Sequence, residues 1–401
     1  MKHEARNTLI FLASCFLLLA SFLSLGISVN KNALESLQED ETQSTAKNEE
    51  NIQETHCIGQ IIKIISDDQE ELPSGNKQRS QQLLIKILTG PDKNKERPAL
   101  NTIPDNPAFA IIGELERKYL VTKVENLDTG NEDYFLIDYY REPFIWFLCG
   151  LFLTMLVIVG GKKGIRTIIS LLGTIGFIAF LLIPGVVKGF NPLLVAVLVS
   201  FLATGLTMIL VAGLNAKSLA STLGTVIGVS LSGVIASVVI KTAPLSGLAS
   251  SEAMILWGNQ FYEINFKGLL AAGMIVSCLG AIMDVAISIS SAIYEIKIAN
   301  QNYLIQDLFK SGMNVGKDIM GTMTSTLVLA YTGMALPLLL LISHEKNPAK
   351  FLNLELVVSE LTAAISGSIG LIIAVPATAL IMAWLVSRKR NGEPVMGQRG
   401  E

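Results

Sequence analysis

About eight runs of this 401-residue sequence are long and apolar enough to cross a bilayer, and no other feature limits the fold as much. They fall at residues 9–29, 143–160, 167–187, 192–212, 219–240, 268–289, 321–343 and 361–386. At 1.5 Å of rise per residue, a helix of about 20 residues crosses the hydrocarbon core. Half of the chain is hydrophobic, only 16% is charged, and the mean hydropathy is +0.50, too apolar for a soluble protein of this length. The expected class is a membrane α-helical bundle of about eight transmembrane helices, with the lipid bilayer as its first partner. A net charge of -3, and the lack of aromatics interleaved with Arg or Lys, exclude nucleic acid as a partner.

The polar stretches divide the chain. Residues 1–29 read as a signal-anchor helix behind Lys2 and Arg6; cleavage as a signal peptide is the alternative, but LSLGISVN offers no A-x-A site. Residues 30–56, rich in Glu, Asp, Gln, Asn and Ser, read as a polar linker. Residues 57–142 carry short β-prone runs, CIGQIIKIIS, QQLLIKILTG, KYLVTKVEN and EDYFLIDYY, between turn-formers. They predict a small β-rich barrel or sandwich inserted after the first helix, with Gly90 and Gly113 at turns or bulges. Residues 143–386 supply seven further helices and residues 387–401 a basic tail. Lys162, Lys163, Arg166, Lys217, Lys297, Lys310 and Lys317 concentrate in connections on one side, with Arg388, Lys389 and Arg390 in the tail. The positive-inside rule then places both termini in the cytoplasm and residues 30–142 outside it. Cys15, Cys57, Cys149 and Cys278 share no soluble domain, so neither a disulfide nor a metal cluster is expected.

Polar groups inside the apolar runs are the candidates for function. Asp284, Ser288, Ser291 and Glu295 stand at i, i+4, i+7 and i+11, within one sector of a helix. A carboxylate at membrane depth costs several kcal/mol, so this stripe is expected to look into the bundle or a wet cavity. Asp318, Thr322 and Ser325 repeat the spacing on the next span, so that two polar faces can meet. Gly312, Gly316 and Gly321 suit close packing or helix breaks, and a helix starting near Gly321 would aim its positive dipole at an anion. Residues 295–312 read as an amphipathic helix on the membrane surface, and Pro337 and Pro376 as interruptions of the last spans.

No phosphate loop, paired-histidine zinc motif or nucleophile elbow occurs, so no catalytic residue, cofactor or metal ligand is assigned. Asp284 with Asp318 is the one pair that an intramembrane aspartyl protease could use, a remote alternative. The segments GAIMDVAISISSAIYEI, SGMNVGKDIMGTMTSTLVLAYTG and SGSIGLIIAVPATAL, with DYYREPFIWFL and GGKKGIR before them, resemble the YibE/F-like family of bacterial integral membrane proteins. The resemblance runs over residues 57–386; Ser325 stands where the family pattern has Asn. It implies a multi-pass protein of a bacterial plasma membrane and brings no substrate with it. The function expected from the stripe is permease-like transport of an ion or small polar solute. The alternative is a non-transporting assembly or scaffold protein whose β-domain binds an envelope partner. A second copy of the chain is a further expected partner.

Overall fold

The computed structural model describes residues 52–71, 77–104, 106, 110–126, 130–258, 264–343, 350 and 352–387. The first apolar run, most of the linker and the basic tail lie outside them. The chain divides into two compact units, with the boundary between Met155 and Leu156.

The first unit is a five-stranded closed barrel: β1 (Ile52–Glu71), β2 (Lys77–Ile87), β3 (Glu96–Ile103), β4 (Lys118–Asn126) and β5 (Glu132–Tyr139). The strand order around it is β1-β2-β3-β5-β4, and β1 pairs with both β2 and β4. Register shifts after Ile61 and Ile64 bend β1 so that it can serve both neighbours. The barrel closes on a parallel contact of β3 with β5 at Leu100 and Phe135, an OB-type Greek-key arrangement. Ile61, Leu83, Ile85, Tyr119, Val121 and Leu136 fill the interior. The buried amides of Gln81 and Asn101 tie down the chain between β3 and β4: Gln81 Oε1 accepts from Asn101 Nδ2 at 3.0 Å and from Gly113 N–H at 2.9 Å. A methyl group on Gly113 would lie 3.0 Å from Gln81 and Leu83, so a side chain there would press on the amide that holds this segment.

Two sequence expectations change here. The strand ladder reaches back to Ile52, inside the stretch read as polar linker, because residues 52–56 pair with 122–126 of β4. Backbone pairing needs no apolar side chain, so composition alone does not mark the start of such a strand. The sequence reading also did not anticipate β3, whose run ERPALNTI holds a proline.

Among the described residues five helical stretches are long and apolar enough to cross a membrane, so the helical part reads as membrane-embedded. The first joins α1 (Glu142–Phe177) through a π-helical turn to α2 (Ile183–Val187). Gly161, at φ 52° and ψ -130°, breaks α1 near its middle in a conformation that only glycine adopts readily. The others are α3 (Pro192–Ala212), α4 (Ala216–Thr242), α6 (Phe266–Ala299) and α9 (Glu355–Ser387). The short α5 (Ser251–Gly258), the long polar α7 (Ile305–Met334) and the short α8 (Leu336–Ser343) complete the order. Asparagine starts three of these helices: Asn191, Asn215 and Asn265 accept from Leu193, Ser218 and Gly268 N–H respectively.

The core of this unit is the junction of α4, α6, α7 and α9. Helices α4 and α9 cross through glycine: a Cβ on Gly228 would lie 2.7 Å from the Gly370 carbonyl, and one on Gly370 would lie 2.6 Å from that of Gly228. Such backbone contact gives dispersion contacts and Cα–H···O interactions that larger residues forbid.

Residues 295–312 do not form a separate surface helix. They end α6 and begin α7, with Leu304 N–H donating to Asp307 Oδ2 at the turn, and Leu308 is fully buried. Nor does a helix start at Gly321, which lies inside α7 with open space around it. Pro337 falls in the first turn of α8, where a missing N–H costs nothing. Pro376 does not interrupt α9, which runs unbroken past it. The proline removes only the rung to the Ile372 carbonyl, and tight packing on both sides holds the rest.

Candidate functional site

The packed face of α6 carries Ile275, Ile282, Val285, Ile289 and Ile293, all fully buried. With that face turned to α4, α7 and α9, the opposite one is exposed among the described residues. Along it stand Gly273, Ser277, Gly280, Asp284 and Ser288, all exposed, followed by half-buried Ser291 and exposed Glu295. At 100° per residue these seven fall within a sector of roughly 80°. The polar stripe read from residues 284–295 therefore continues about three further turns towards the start of α6, with glycine or serine at each added place. It points away from the bundle rather than into it, which reverses the expectation. The cause is competition between two faces of one helix: branched aliphatic side chains fill the interior better than Gly, Ser and Asp do.

Asp284 stands near the middle of α6. Its backbone carbonyl accepts from Ser288 Oγ at 2.8 Å, but among the described residues no hydrogen bond or ion pair reaches its carboxylate. Glu295 differs. Its Oε1 lies 3.0 Å from Lys217 Nζ of α4, which also sits 4.1 Å above the Tyr294 ring. The sequence reading missed this partner, which lies 78 positions away in the chain.

On α7 the candidate residues are again turned outward. Asp318, Thr322 and Ser325 are exposed, and the hydroxyls donate to their own helix, Thr322 to the Ile319 carbonyl and Ser325 to that of Gly321. The two polar faces do not meet. The α6–α7 interface is occupied by Ile289 and Ile293 against Gly316 and Gly312, where added Cβ atoms would fall 3.2 and 2.4 Å from those isoleucines. Asp284 and Asp318 thus share no hydrogen bond.

Two further acids emerge from the structure on α9. Glu355 holds the chain before α5: its Oε1 accepts from Ser246 N–H at 2.7 Å and from Gly247 N–H at 2.9 Å, and Ser246 Oγ donates to both carboxylate oxygens. Glu360, half-buried, lies one position before the apolar run read from the sequence. Its neighbours Val357 and Val358 are apolar, so a window opened one turn earlier would have included it.

A family model described as YibE/F-like protein matches residues 148–388, more than half of the chain. The chain belongs to the YibE/F-like family. The match begins within α1 and covers α2 to α9, so the YibE/F-like part is the helical unit, whereas the sequence resemblance extended back to residue 57. No curated protein and no solved structure matches the chain. Asp284, Glu295, Asp318 and Glu360 all lie in the YibE/F-like region.

Proposed function

We propose that this YibE/F-like protein is a membrane transport protein that moves a proton, a cation or a small polar solute along the outward face of α6, with Asp284 as its central binding group. One observation carries the reading: a carboxylate midway along an apolar helix, with no partner among the described residues. Hydrocarbon against it would cost about 3 kcal/mol on insertion scales, so this face needs water, a solute or a polar partner. Ser277, two turns before it, and Ser288, one turn after it, offer oxygens on the same face. In this reading the chain crosses a bacterial plasma membrane about eight times, its termini are cytoplasmic, and the barrel is extracytoplasmic.

The test is reconstitution of the full chain in liposomes with imposed pH and cation gradients. Asp284→Asn should reduce flux at least tenfold while insertion and melting stay as in the wild type. Equal flux in both proteins, or none in either with any solute tried, would sink the transport reading.

The scaffold reading keeps one observation of its own. The outer surface of the barrel exposes Leu100, Phe135 and Ile137 on the adjacent strands β3 and β5, an apolar patch suited to a protein partner. Loss of activity in Leu100→Ser or Phe135→Ser, with Asp284→Asn fully active, would favour it.

A further inference from the structure

Near its start the outward face of α6 meets a second polar cluster, which shares Ser277 with the proposed route and adds groups from α7 and α9 that the route does not use. Ser277 Oγ and the Tyr331 hydroxyl of α7 are hydrogen-bonded to each other. Ser277 Oγ also donates to the Met274 carbonyl at 2.9 Å. Its single hydrogen is thereby committed, so the Tyr331 hydroxyl is the donor in their shared bond. The remaining lone pairs of the Tyr331 oxygen are then available only to accept.

Glu360 comes to the same level by the register of α7 against α9. These helices run antiparallel, with Gly312 beside Ala379, Gly316 beside Val375, and Leu327 beside Gly367. One turn beyond Leu327 is Tyr331, which that register sets against residues 360–363. Tyr331 and Val358 accordingly pack on one cluster with Met274 and Ala363, and Glu360, three residues before Ala363 and seven before Gly367, shares their face of α9.

Among the described residues no ion pair reaches Glu360. Helix α7 offers Tyr331, and α6 offers Cys278, whose thiol faces Ser232 of α4. Lys241 of α4, Lys267 of α6 and Lys350, which precedes α9, are exposed. Glu355, the other acid of α9, is occupied by Ser246 and Gly247. A carboxylate and a phenol oxygen with no donor left between them suit a hard cation. One acid is too few for a divalent ion that wants six or more oxygens and several charges. Among the described residues no group of three metal-ligating side chains exists.

We infer that Glu360, Tyr331 and Ser277 form a binding site for a proton or small monovalent cation, and that Gly280 keeps the way from this site to Asp284 clear. The inference rests on the transport reading for its purpose, though the site can be tested without it. Ser277 and Asp284 lie on one face, about 10 Å apart along the axis at 1.5 Å per residue. Gly280 stands between them, and a Cβ there would meet nothing within 4 Å. The glycine fits because its missing side chain leaves a polar path unobstructed; packing does not require it.

The test uses the full chain in liposomes and two independent readouts. The first is carbodiimide modification, which captures protonated carboxyls in apolar surroundings, quantified at Glu360 and Asp284 by peptide mass spectrometry. Glu360 should be modified, and modification should fall at least tenfold either as pH rises, for a proton site, or on adding sodium or potassium at fixed pH, for a cation site. Tyr331→Phe should move that midpoint at least threefold in concentration while leaving the protein folded. The second readout is flux: Gly280→Leu, which the open space tolerates, should reduce it at least tenfold with Glu360 modification unchanged. If Glu360 modification responds neither to pH nor to any monovalent cation, or is indifferent to Tyr331→Phe, the site is refuted. Normal flux in Glu360→Gln or in Gly280→Leu refutes its place on the route even where Asp284 proves essential. A cation-protected Glu360 in a protein without flux supports the site and overturns the transport reading instead.

Discussion

Asp92 in the barrel and Asp284 in α6 are both acids placed where water is scarce, and the surroundings of the two are opposite. Lys95 Nζ lies 2.7 Å from Asp92, the Tyr134 hydroxyl donates to it at 3.0 Å, and Lys123 stands 3.4 Å away. Lys123, largely buried, also binds Glu125 at 2.8 Å and Glu132 at 2.7 Å, so it is the hub of a closed network. The charge at Asp284 meets nothing comparable. A network of matched charges fixes a shape, because each member's cost of leaving water is offset by the others. A carboxylate left alone along an apolar helix adds no such stability, which is why it reads as a site for something that comes and goes.

Acid should break the comparison most strongly. The hydrogen bond from Lys95 holds the Asp92 carboxyl at about 2, Arg79 and Gln81 hold Asp67 at about 2, and Lys123 lowers Glu132. Each of these groups is depressed in the folded state, so its contribution is complete above the ordinary carboxylate range near 4 and is lost as pH falls towards about 2. Hydrogen exchange across that window should show β2, β4 and β5 opening, with the glycine-crossed α4 and α9 retaining protection. Equal loss in both units would show that the barrel does not depend on its charges.

Removing the hub is the next largest effect. Lys123→Met takes the shared cation from Asp92, Glu125 and Glu132, leaving Lys95 on Asp92 and Arg97 on Glu132, and should cost the barrel about 3 kcal/mol, seen as roughly a hundredfold faster exchange of β4 and β5 amides. Burial and Asp92 together push the Tyr134 hydroxyl up to about 12, so at neutral pH the phenol stays a donor and cannot replace the lost cation. An unchanged exchange rate would mean that the network is ornamental.

The helical unit has its own paired acid, which makes the contrast independent of the barrel. Glu355→Ala strips the Ser246 and Gly247 N–H groups of their acceptor and should cost about 1–3 kcal/mol, confined to residues 243–250. Gly247 admits no side chain here, because its φ is 80° and a Cβ would lie 2.5 Å from the Phe266 carbonyl. Local exchange at these two amides would report the change, and a global loss of protection would refute a local clamp.

These pairs also mark the limit of what local sequence conveys. Length and apolarity locate α3, α4, α6 and α9 because they are properties of one run, and the period of 3.6 makes the spacing of Asp284, Ser288 and Glu295 legible for the same reason. Which way that stripe turns depends on whether Ile282 and Ile289 find a better seat on other helices than Asp284 does, and no window of α6 contains that information. The missed β3 has the same origin: Asn101 and Pro98 make ERPALNTI look like a loop, and only pairing with β2 and β5 turns it into a strand. Lys217 and Glu295, or Glu355 and Ser246, are likewise joined by the fold and not by spacing.

The smallest expected effect is the most discriminating. Asp284→Asn removes a charge that no described side chain balances, so folding stability should stay within about 0.5 kcal/mol of the wild type, the range of substitutions that touch nothing structural. Were Asp284 a structural anchor with a hidden partner in the membrane, the same change would orphan that partner and cost about 3 kcal/mol or more. Unfolding of the reconstituted chain separates the two outcomes, because a difference of that size exceeds the error of such curves. A loss of flux with unchanged stability would then separate Asp284 from Asp92 by function as well as by geometry: one acid holds the protein together, and the other is held ready by it.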